Sequence, residues 1–306
     1  MKKIDFHIHP SKNISVKESA AFMRDMCQRF GYETVGIMAA LHSSQGDFPD
    51  ANRYALQLKE LLPGSVAFAS LDHTGDFVEQ TKRYMSSGFE GIKLLEGKPT
   101  EYRYHGYGFE HPRFDAFFAY AEREQIPIVL HNNDPLVHWD RERISPSAFA
   151  KGWYYDSTFP SQEHFFRVLE TQLEKFPGLR VAIAHLGFYS NDLDRAERLL
   201  EMCPNLRFDI TPALIIYGEL SETPERTRAF FRKYHDRLIY GTDASTNLVD
   251  SARELNDKKN VIMDHFFTGT DPREIGGYHI VPVQLEKYML ENIYYNNAMR
   301  FIDRKS

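Results

Sequence analysis

The chain has 306 residues, 42% of them hydrophobic, which is enough to bury a large core without disulfides. Its formal net charge is −6 and no run of Lys or Arg exceeds two residues, so the composition argues against a nucleic-acid partner. The two cysteines lie far apart, and no stretch is typical of a signal peptide or a membrane-spanning helix, so we expect a soluble cytoplasmic protein.

Short runs rich in β-branched and aromatic residues alternate with longer amphipathic runs along the chain. Eight short runs are predicted to be strands: Lys3–Ile8, Thr34–Leu41, Ser65–Leu71, Gly91–Gly97, Ile126–Asn132, Leu179–Gly187, Leu206–Thr211 and Arg237–Ser245. The longer runs are predicted to be helices: Val16–Phe30, Ala51–Leu62, Asp76–Ser87, Arg113–Glu124, Glu163–Phe176, Leu193–Cys203, Pro224–Tyr234, and two more near Asp250–Phe267 and Val283–Phe301.

This strand–helix alternation predicts an α/β protein whose parallel sheet is covered by helices. Eight such units favour closure into a (β/α)8 TIM barrel, formed as a single domain by residues 1–306. No Gly-rich phosphate-binding turn follows the first strand, which argues against an open nucleotide-binding sheet. The loops after strands 4 and 5, Lys98–Pro112 and Asn133–Pro160, are long, and we expect both at the C-terminal rim, where loops carry specificity.

The first strand contains two histidines, in the run Asp5-Phe6-His7-Ile8-His9. Alternate residues of a strand share a face, so we expect Asp5, His7 and His9 to point into the barrel. Phe6 and Ile8 should then point outward, under the helices. Two imidazoles in this arrangement at the end of a strand can bind one metal ion together.

Three more polar residues end other strands of the predicted barrel. His131 ends the fifth strand, His185 the sixth and Asp243 the eighth. Side chains at strand C-termini converge on one mouth of a barrel. Four histidines and one aspartate at that mouth are a ligand set for a divalent metal.

The motifs around these residues resemble those of the amidohydrolase superfamily, specifically the amidohydrolase 2 group. They are IDFHIH at the start, GFEGIKL at Gly88–Leu94, PIVLH, VAIAHLG, LIYGTDAS and the closing NIYYNNAMRFI, and together they cover nearly the whole chain. That group includes lactonases, other hydrolases of C–O and C–N bonds, and non-oxidative decarboxylases. The resemblance therefore implies a metal-dependent enzyme and leaves the substrate open.

The resemblance also implies individual roles. His7, His9 and His131 would be metal ligands, and Asp243 would bind the metal or accept a proton from its water. His185 would act as a catalytic acid/base or polarise the substrate, and in two-metal relatives it is a ligand.

Lys93 in the fourth strand has two interpretations under this resemblance. Some dinuclear relatives carry a carboxylated lysine here, which would bridge a second metal, whereas mononuclear relatives have a buried or substrate-facing lysine. Without a bridge, one metal per chain is expected. Zinc is the first expectation for this ligand set, and manganese is the alternative.

Hydrolysis of a small polar substrate, such as a lactone or an amide, is the leading hypothesis. The metal would lower the pKa of a bound water toward ~7, Asp243 would take its proton, and His185 would assist the oxyanion or the leaving group. A non-oxidative decarboxylase acting on a small or aromatic carboxylate at the same site is the alternative. A non-catalytic binding protein would need a damaged site, and the acidic balance argues against a nuclease.

Other features give weaker expectations. His42 and His73 follow the second and third strands and are further candidates to line the pocket. Arg141 or Arg143 in the fifth loop is a candidate clamp for a substrate carboxylate. We expect a small-molecule substrate as the only ligand besides the metal, and a homodimer as the assembly.

Overall fold

The computed structural model describes residues 1–41, 43–44 and 46–304, and its central feature is a parallel sheet. Its strands are β1 (Ile4–His9), β2 (Thr34–Met38), β3 (Val66–Ser70), β4 (Gly91–Gly97), β5 (Ile128–Asn132), β6 (Val181–Ile183), β7 (Leu206–Asp209), β8 (Leu238–Ile239) and β9 (Ala244–Ser245). Consecutive strands pair from β1 to β8, and β9 pairs with β1. Because β8 and β9 are two segments of the predicted eighth strand, the sheet closes into a (β/α)8 barrel.

Helices follow the strands as predicted. They are α1 (Val16–Phe30), α2 (Ala51–Leu61), α3 (Phe77–Ser86), α4 (Pro99–His105), α5 (Pro112–Glu124), α6 (Pro146–Ala150), α7 (Gln162–Lys175), α8 (Leu193–Met202), α9 (Ile215–Glu222), α10 (Pro224–Lys233), α11 (Asp250–Thr268), α12 (Lys287–Glu291) and α13 (Asn297–Ile302). Helix α1 begins at a capping box made by Ser15 and Glu18, and it ends at Gly31, whose left-handed backbone (φ 72°) favours glycine. Helix α7 is capped by Ser161, whose side chain accepts a hydrogen bond from the His164 backbone.

The two long rim loops are present after β4 and β5. The first contains α4, and the second contains a 3₁₀ turn at Leu136–Trp139 and α6. They are tied together below the surface: Lys98 Nζ of the first loop donates to the carboxylate of Asp134 at 2.5 Å, and the Tyr155 hydroxyl donates to the same carboxylate. A buried ion pair of this kind holds the two loops in one arrangement over the mouth of the barrel.

The C-terminal region differs from its prediction in one place. Between α11 and α12 the chain forms a hairpin of β10 (Arg273–Ile275) and β11 (Tyr278–Ile280), and the following helix begins at Lys287 rather than at Val283. The turn is Gly276-Gly277, both with positive φ, which is a recognised signal for a two-residue hairpin. No helix within the described residues is long and apolar enough to cross a membrane.

The strands separate two hydrophobic layers. The larger lies between strands and helices and includes Ile8, while the smaller fills the amino-terminal half of the barrel interior and includes Phe6. Phe6 packs there against Phe68 and Phe301, with ring centroids 5.4 and 5.9 Å away. The C-terminal helix α13, which carries Phe301, therefore closes this end of the barrel.

The prediction that Phe6 and Ile8 share the outer face is wrong, because β1 contains a bulge. Asp5 pairs with Val35 and Ile8 pairs with Ile37, so β1 has one residue more than β2 between these two pairs. An extra residue reverses the alternation of faces beyond it. Phe6 consequently faces the interior, and Asp5 is turned away from the site that the next residues form.

Candidate metal centre

The bulge brings His7, His9 and Asp243 together at the carboxyl end of the barrel. His7 Nε2 lies 3.1 Å from His9 Nε2, and the Asp243 carboxylate lies 3.9 Å from His7 Nε2 and 3.6 Å from His9 Nε2. Together they form a group that could hold a metal ion. His7 is fully buried, whereas about a quarter of the His9 and Asp243 side chains is open to the mouth.

The spacing of these three atoms fits a divalent metal. Metal–nitrogen and metal–oxygen bonds of about 2.1 Å in a tetrahedral site place ligand atoms roughly 3.4 Å apart. The three observed distances lie on both sides of that value. Two imidazole nitrogens and one carboxylate also match the donor preference of zinc and related ions.

Asp209 fixes which nitrogen of His7 is available, and the sequence analysis did not single it out. The His7 Nδ1–H donates to the Asp209 carboxylate at 2.5 Å, and both side chains are completely buried. The lone pair is therefore on Nε2, the atom that faces His9. A carboxylate behind a metal-binding histidine is a recurring arrangement that orients the ring and makes it a better ligand. The position of Asp209 at the end of β7 was the available signal.

Burial keeps the histidines of this site neutral. It lowers the pKa of His9 and of His185 to about 4, and it lowers the pKa of His7 well below its ordinary value. Neutral imidazole is the form that binds metal ions. At neutral pH the site therefore offers lone pairs rather than positive charges.

Asp243 is held from two sides. Lys259 of α11 donates to the Asp243 carbonyl at 2.5 Å and lies 3.3 Å from its carboxylate. Asp5 accepts hydrogen bonds from the backbone and hydroxyl of Thr242, which fixes the residue before Asp243. Burial alone would raise the pKa of Asp243, but Lys259 and the nearby histidines hold it well below its usual range. The carboxylate is thus ionised and fixed in position.

His185 lies beside this group, in a left-handed turn rather than in a strand. Strand β6 ends at Ile183, and His185, Leu186, Gly187 and Phe188 all have positive φ between 52° and 61°. The His185 Nδ1–H donates to the Thr211 carbonyl at 3.1 Å, which leaves the Nε2 lone pair for the site. The His185 ring lies 6.1 Å from that of His7.

His131 lies at the carboxyl end of β5 as predicted, one residue before its last, with its ring centroid 4.9 Å from that of His185. It does not join the group formed by His7, His9 and Asp243. Its Nε2–H donates to the Asn133 carbonyl at 2.8 Å, and Asp134 lies 3.5 Å from the same nitrogen. Only Nδ1 of His131 therefore carries a lone pair. That His131 is a third histidine ligand stays a prediction, and it would bind the metal through Nδ1.

Lys93 is a buried cation beside the metal group. Its side chain points into the barrel from β4, it is 2% exposed, and its Nζ has no hydrogen-bond partner among the described residues. Burial lowers its pKa to about 8, and the charges of Asp209 and Asp243 oppose that shift. An unpaired buried ammonium is costly, which makes it a strong candidate for contact with a ligand.

The weaker expectations have different outcomes. His42 lies outside the described residues. His73 bonds to Glu96 and Tyr107 rather than to the metal group. Arg141 is exposed and packs on Phe149, with its guanidinium 4.0 Å from the ring centroid, and Arg143 is exposed as well. The cations described at the site are therefore lysines, not arginines.

Comparisons with known proteins identify the family. The chain is similar in structure to 2,6-dihydroxybenzoate decarboxylase from Rhizobium, with a TM-score of 0.57, 13% identity and 100% of each chain covered. It is similar to the IDCase of Metarhizium anisopliae (TM-score 0.56, 13% identity, 100% of this chain and 98% of that one). It is also similar to a dihydroxybenzoic acid decarboxylase from Polaromonas with bound manganese (TM-score 0.54, 12% identity, 100% of this chain and 98% of that one).

At sequence identities of 12–13%, these structural similarities support the assignment of the fold alone. The comparison with curated proteins found no match. A family model described as amidohydrolase, of the amidohydrolase 2 group, matches residues 4–304. Because that match spans nearly the whole chain, the protein belongs to the amidohydrolase family and is an enzyme of the amidohydrolase superfamily.

Proposed function

We propose that this protein is a metal-dependent hydrolase of a small, negatively charged substrate. The observation that carries the proposal is the convergence of His7 Nε2, His9 Nε2 and an Asp243 oxygen within 3.1–3.9 Å of one another. We propose one zinc ion per chain, with manganese as the alternative, and His131 Nδ1 as a further ligand. Such a metal supplies Lewis acidity and lowers the pKa of a bound water.

The chain's own residues divide the remaining tasks. Asp209 holds His7 in the tautomer that presents Nε2, and Lys259 holds Asp243 by its backbone and its carboxylate. Asp243 is the carboxylate available to accept the proton of the attacking water. His185, neutral and with its Nε2 lone pair toward the site, is placed to take up that proton and deliver it to the leaving group.

The charge around the site indicates what the substrate carries. Lys93 lies below the metal group without a hydrogen-bond partner among the described residues, and Lys259 lies beside it. Burial lowers the pKa of Lys151 in the fifth loop. Lys151 is also close enough to Lys259 and Asp243 for their charges to affect that pKa. Three cations around a site whose carboxylates already have partners favour a substrate with at least one carboxylate or similar anionic group.

A specific observation also favours a second candidate, non-oxidative decarboxylation. The Lys93 ammonium, which has no hydrogen-bond partner in the part of the chain that the structure describes, is a proton donor in the pocket, and a decarboxylase needs an acid that protonates carbon as CO2 leaves. The similar solved structures include decarboxylases of dihydroxybenzoates. Both reactions would use the same metal group and differ in which bond is broken.

Two measurements test the proposal. Metal content per chain is compared between the wild type and the variant His7→Ala/His9→Ala, with the exposed His279→Ala as the matched control. We expect the group of His7, His9 and Asp243 to hold one tightly bound metal in the wild type and the control, and the double variant to contain one metal fewer per chain. A folded wild type that binds no zinc or manganese after reconstitution would contradict the metal-dependent mechanism.

The second measurement separates the two reactions. Lactones, amides and aromatic carboxylates are incubated with the metal-loaded enzyme in H2¹⁸O, and both ¹⁸O incorporation and CO2 release are followed. Hydrolysis transfers ¹⁸O to the product without CO2. Release of CO2, with a proton on the carbon that had carried the carboxylate, would replace hydrolysis by the lyase alternative.

A further inference from the structure

A second group of potential metal ligands lies on the rim of the barrel, away from His7 and His9. His73 comes from the loop after β3, Glu96 from the end of β4, and His105 from the last residue of α4. One ligand atom from each lies within 4.8 Å of the other two. Three separate elements thus bring two imidazoles and a carboxylate to one point.

Glu96 is a buried carboxylate whose negative charge a bound cation would stabilise. Its side chain is 7% exposed, and its described hydrogen-bond partners are the His73 ring, at 2.7 Å, and the backbone N–H of Leu95. Burial would raise the pKa of Glu96, but the hydrogen bond from His73 holds it below its ordinary value. An ionised buried carboxylate beside two imidazoles is a ligand set of the His2Glu type found at zinc sites.

His73 also has the outer support that metal-binding histidines usually have. Its Nδ1 is hydrogen-bonded to the Tyr107 hydroxyl at 2.7 Å, so Nε2 is the nitrogen that faces Glu96. Arg113 donates to that hydroxyl at 2.5 Å and to the His73 carbonyl at 2.8 Å. These contacts fix the orientation of the ring, as outer partners do at known sites.

From this geometry we propose that His73, Glu96 and His105 bind a second divalent metal ion, of the zinc type, which ties α4 to the loop after β3. The rings of His73 and His105 are stacked, with centroids 3.6 Å apart and planes 9° apart. A metal cannot lie in both parallel ring planes, so His105 turns its ring on binding. The His73 proton moves from Nε2 to Nδ1, where the Tyr107 hydroxyl accepts it, and this leaves the Nε2 lone pair for the metal. This ion is distinct from the one at His7 and His9, and the site does not depend on the proposed reaction.

Zinc stoichiometry in four proteins tests the proposal. We expect two equivalents in the wild type at saturating Zn²⁺, and one equivalent in each of His7→Ala/His9→Ala and His73→Ala/His105→Ala. Lys93→Met should keep two. If Lys93→Met removes the second equivalent, a bridged pair at the first site replaces this proposal. One equivalent in the wild type, or two in His73→Ala/His105→Ala, would overturn it.

A second readout covers the risk that the rim variant folds poorly. In the His7→Ala/His9→Ala background, added Zn²⁺ should raise the thermal midpoint, because a ligand that binds only the folded state stabilises it. Glu96→Gln, which keeps the size of the side chain, should abolish that rise while leaving the zinc-free midpoint nearly unchanged. A rise that survives Glu96→Gln would contradict the rim site. Failure of the first site would appear separately, as unchanged zinc content in His7→Ala/His9→Ala.

Discussion

The two ends of the barrel differ in what their buried residues do. At the amino end, Phe6, Phe68 and Phe301 form an apolar plug, with ring centroids 5.4–6.5 Å apart. At the carboxyl end, buried ionisable groups meet within a few ångströms. Most of the non-glycine residues with positive φ among the described ones also lie there: Asn133, His185, Leu186, Phe188 and Asp243.

This difference separates stability from chemistry. Each left-handed non-glycine residue costs on the order of 1 kcal/mol or more, and buried charges cost more unless they are paired. The carboxyl end therefore lowers the free energy of unfolding, and the apolar amino end and the helix layer compensate. Substitutions at the two ends should accordingly affect different measurements.

The largest expected effect on stability is at the plug. Phe301→Ala removes a fully buried ring and should lower the free energy of unfolding by roughly 3–5 kcal/mol. Metal content should not change, since Phe301 lies at the opposite end from His7 and His9. Urea unfolding and metal analysis measure the two quantities, and the exposed Tyr288→Ala is the control. Loss of metal with unchanged stability would contradict the separation of the two ends.

Acidification should lower the free energy of unfolding of the metal-free protein, because buried histidines at the carboxyl end of the barrel must take up protons. The pKa of His9 and of His185 is about 4 in the folded chain and about 6.5 in the unfolded chain. Between these values the unfolded state binds more protons, so the free energy of unfolding falls as the pH falls. Each histidine contributes roughly 1.4 kcal/mol per pH unit within that window.

Urea unfolding of the metal-free protein between pH 7 and pH 5 measures this slope. His9→Gln and His185→Gln should each flatten it, whereas His279→Gln, at an exposed position, should not. A slope that is the same in all four proteins would mean that these buried histidines do not set the acid sensitivity.

The sequence predicted the barrel and its rim well, for physical reasons. The strands and helices follow hydrophobic periodicity, so α1 was placed with its observed bounds, Val16–Phe30. Strand ends converge in any barrel, so the approximate positions of His7, His9, His131, His185 and Asp243 followed from their places in the sequence.

What the sequence did not predict depends on backbone irregularity and on contacts between distant residues. Because of the bulge in β1, the Phe6 side chain faces the barrel interior rather than the helices. A period-two pattern in the sequence cannot reveal the inserted residue. The left-handed turn at His185 replaces the end of a predicted strand. Asp209 and Lys259 act on residues 202 and 16 positions away, and no local pattern marks such partners.

Asp209 offers a sharper test of the carboxyl end. Asp209→Asn keeps an oxygen acceptor behind His7 but removes the charge that makes the ring a better ligand. Metal affinity should fall roughly 10–100-fold, as is typical for outer partners of metal-binding histidines. Competition with a chromophoric chelator measures the affinity, and Asp236→Asn, at an exposed position, is the control. Unchanged affinity would show that Asp209 serves the fold alone.

The expected effect of a change at Lys93 has the opposite sign. Lys93→Met replaces a buried ammonium, which has no hydrogen-bond partner among the described residues, by an apolar side chain of similar length. It should therefore raise the free energy of unfolding by roughly 1–3 kcal/mol. The same change should weaken binding of an anionic substrate, because it removes the charge below the metal group. Urea unfolding of the metal-free protein gives the first quantity, and Lys17→Met on the exposed face of α1 should change it by no more than about 0.5 kcal/mol. Destabilisation of the metal-free protein by Lys93→Met would mean that the ammonium has a stabilising partner in the folded state, and that this part of the carboxyl end contributes to stability.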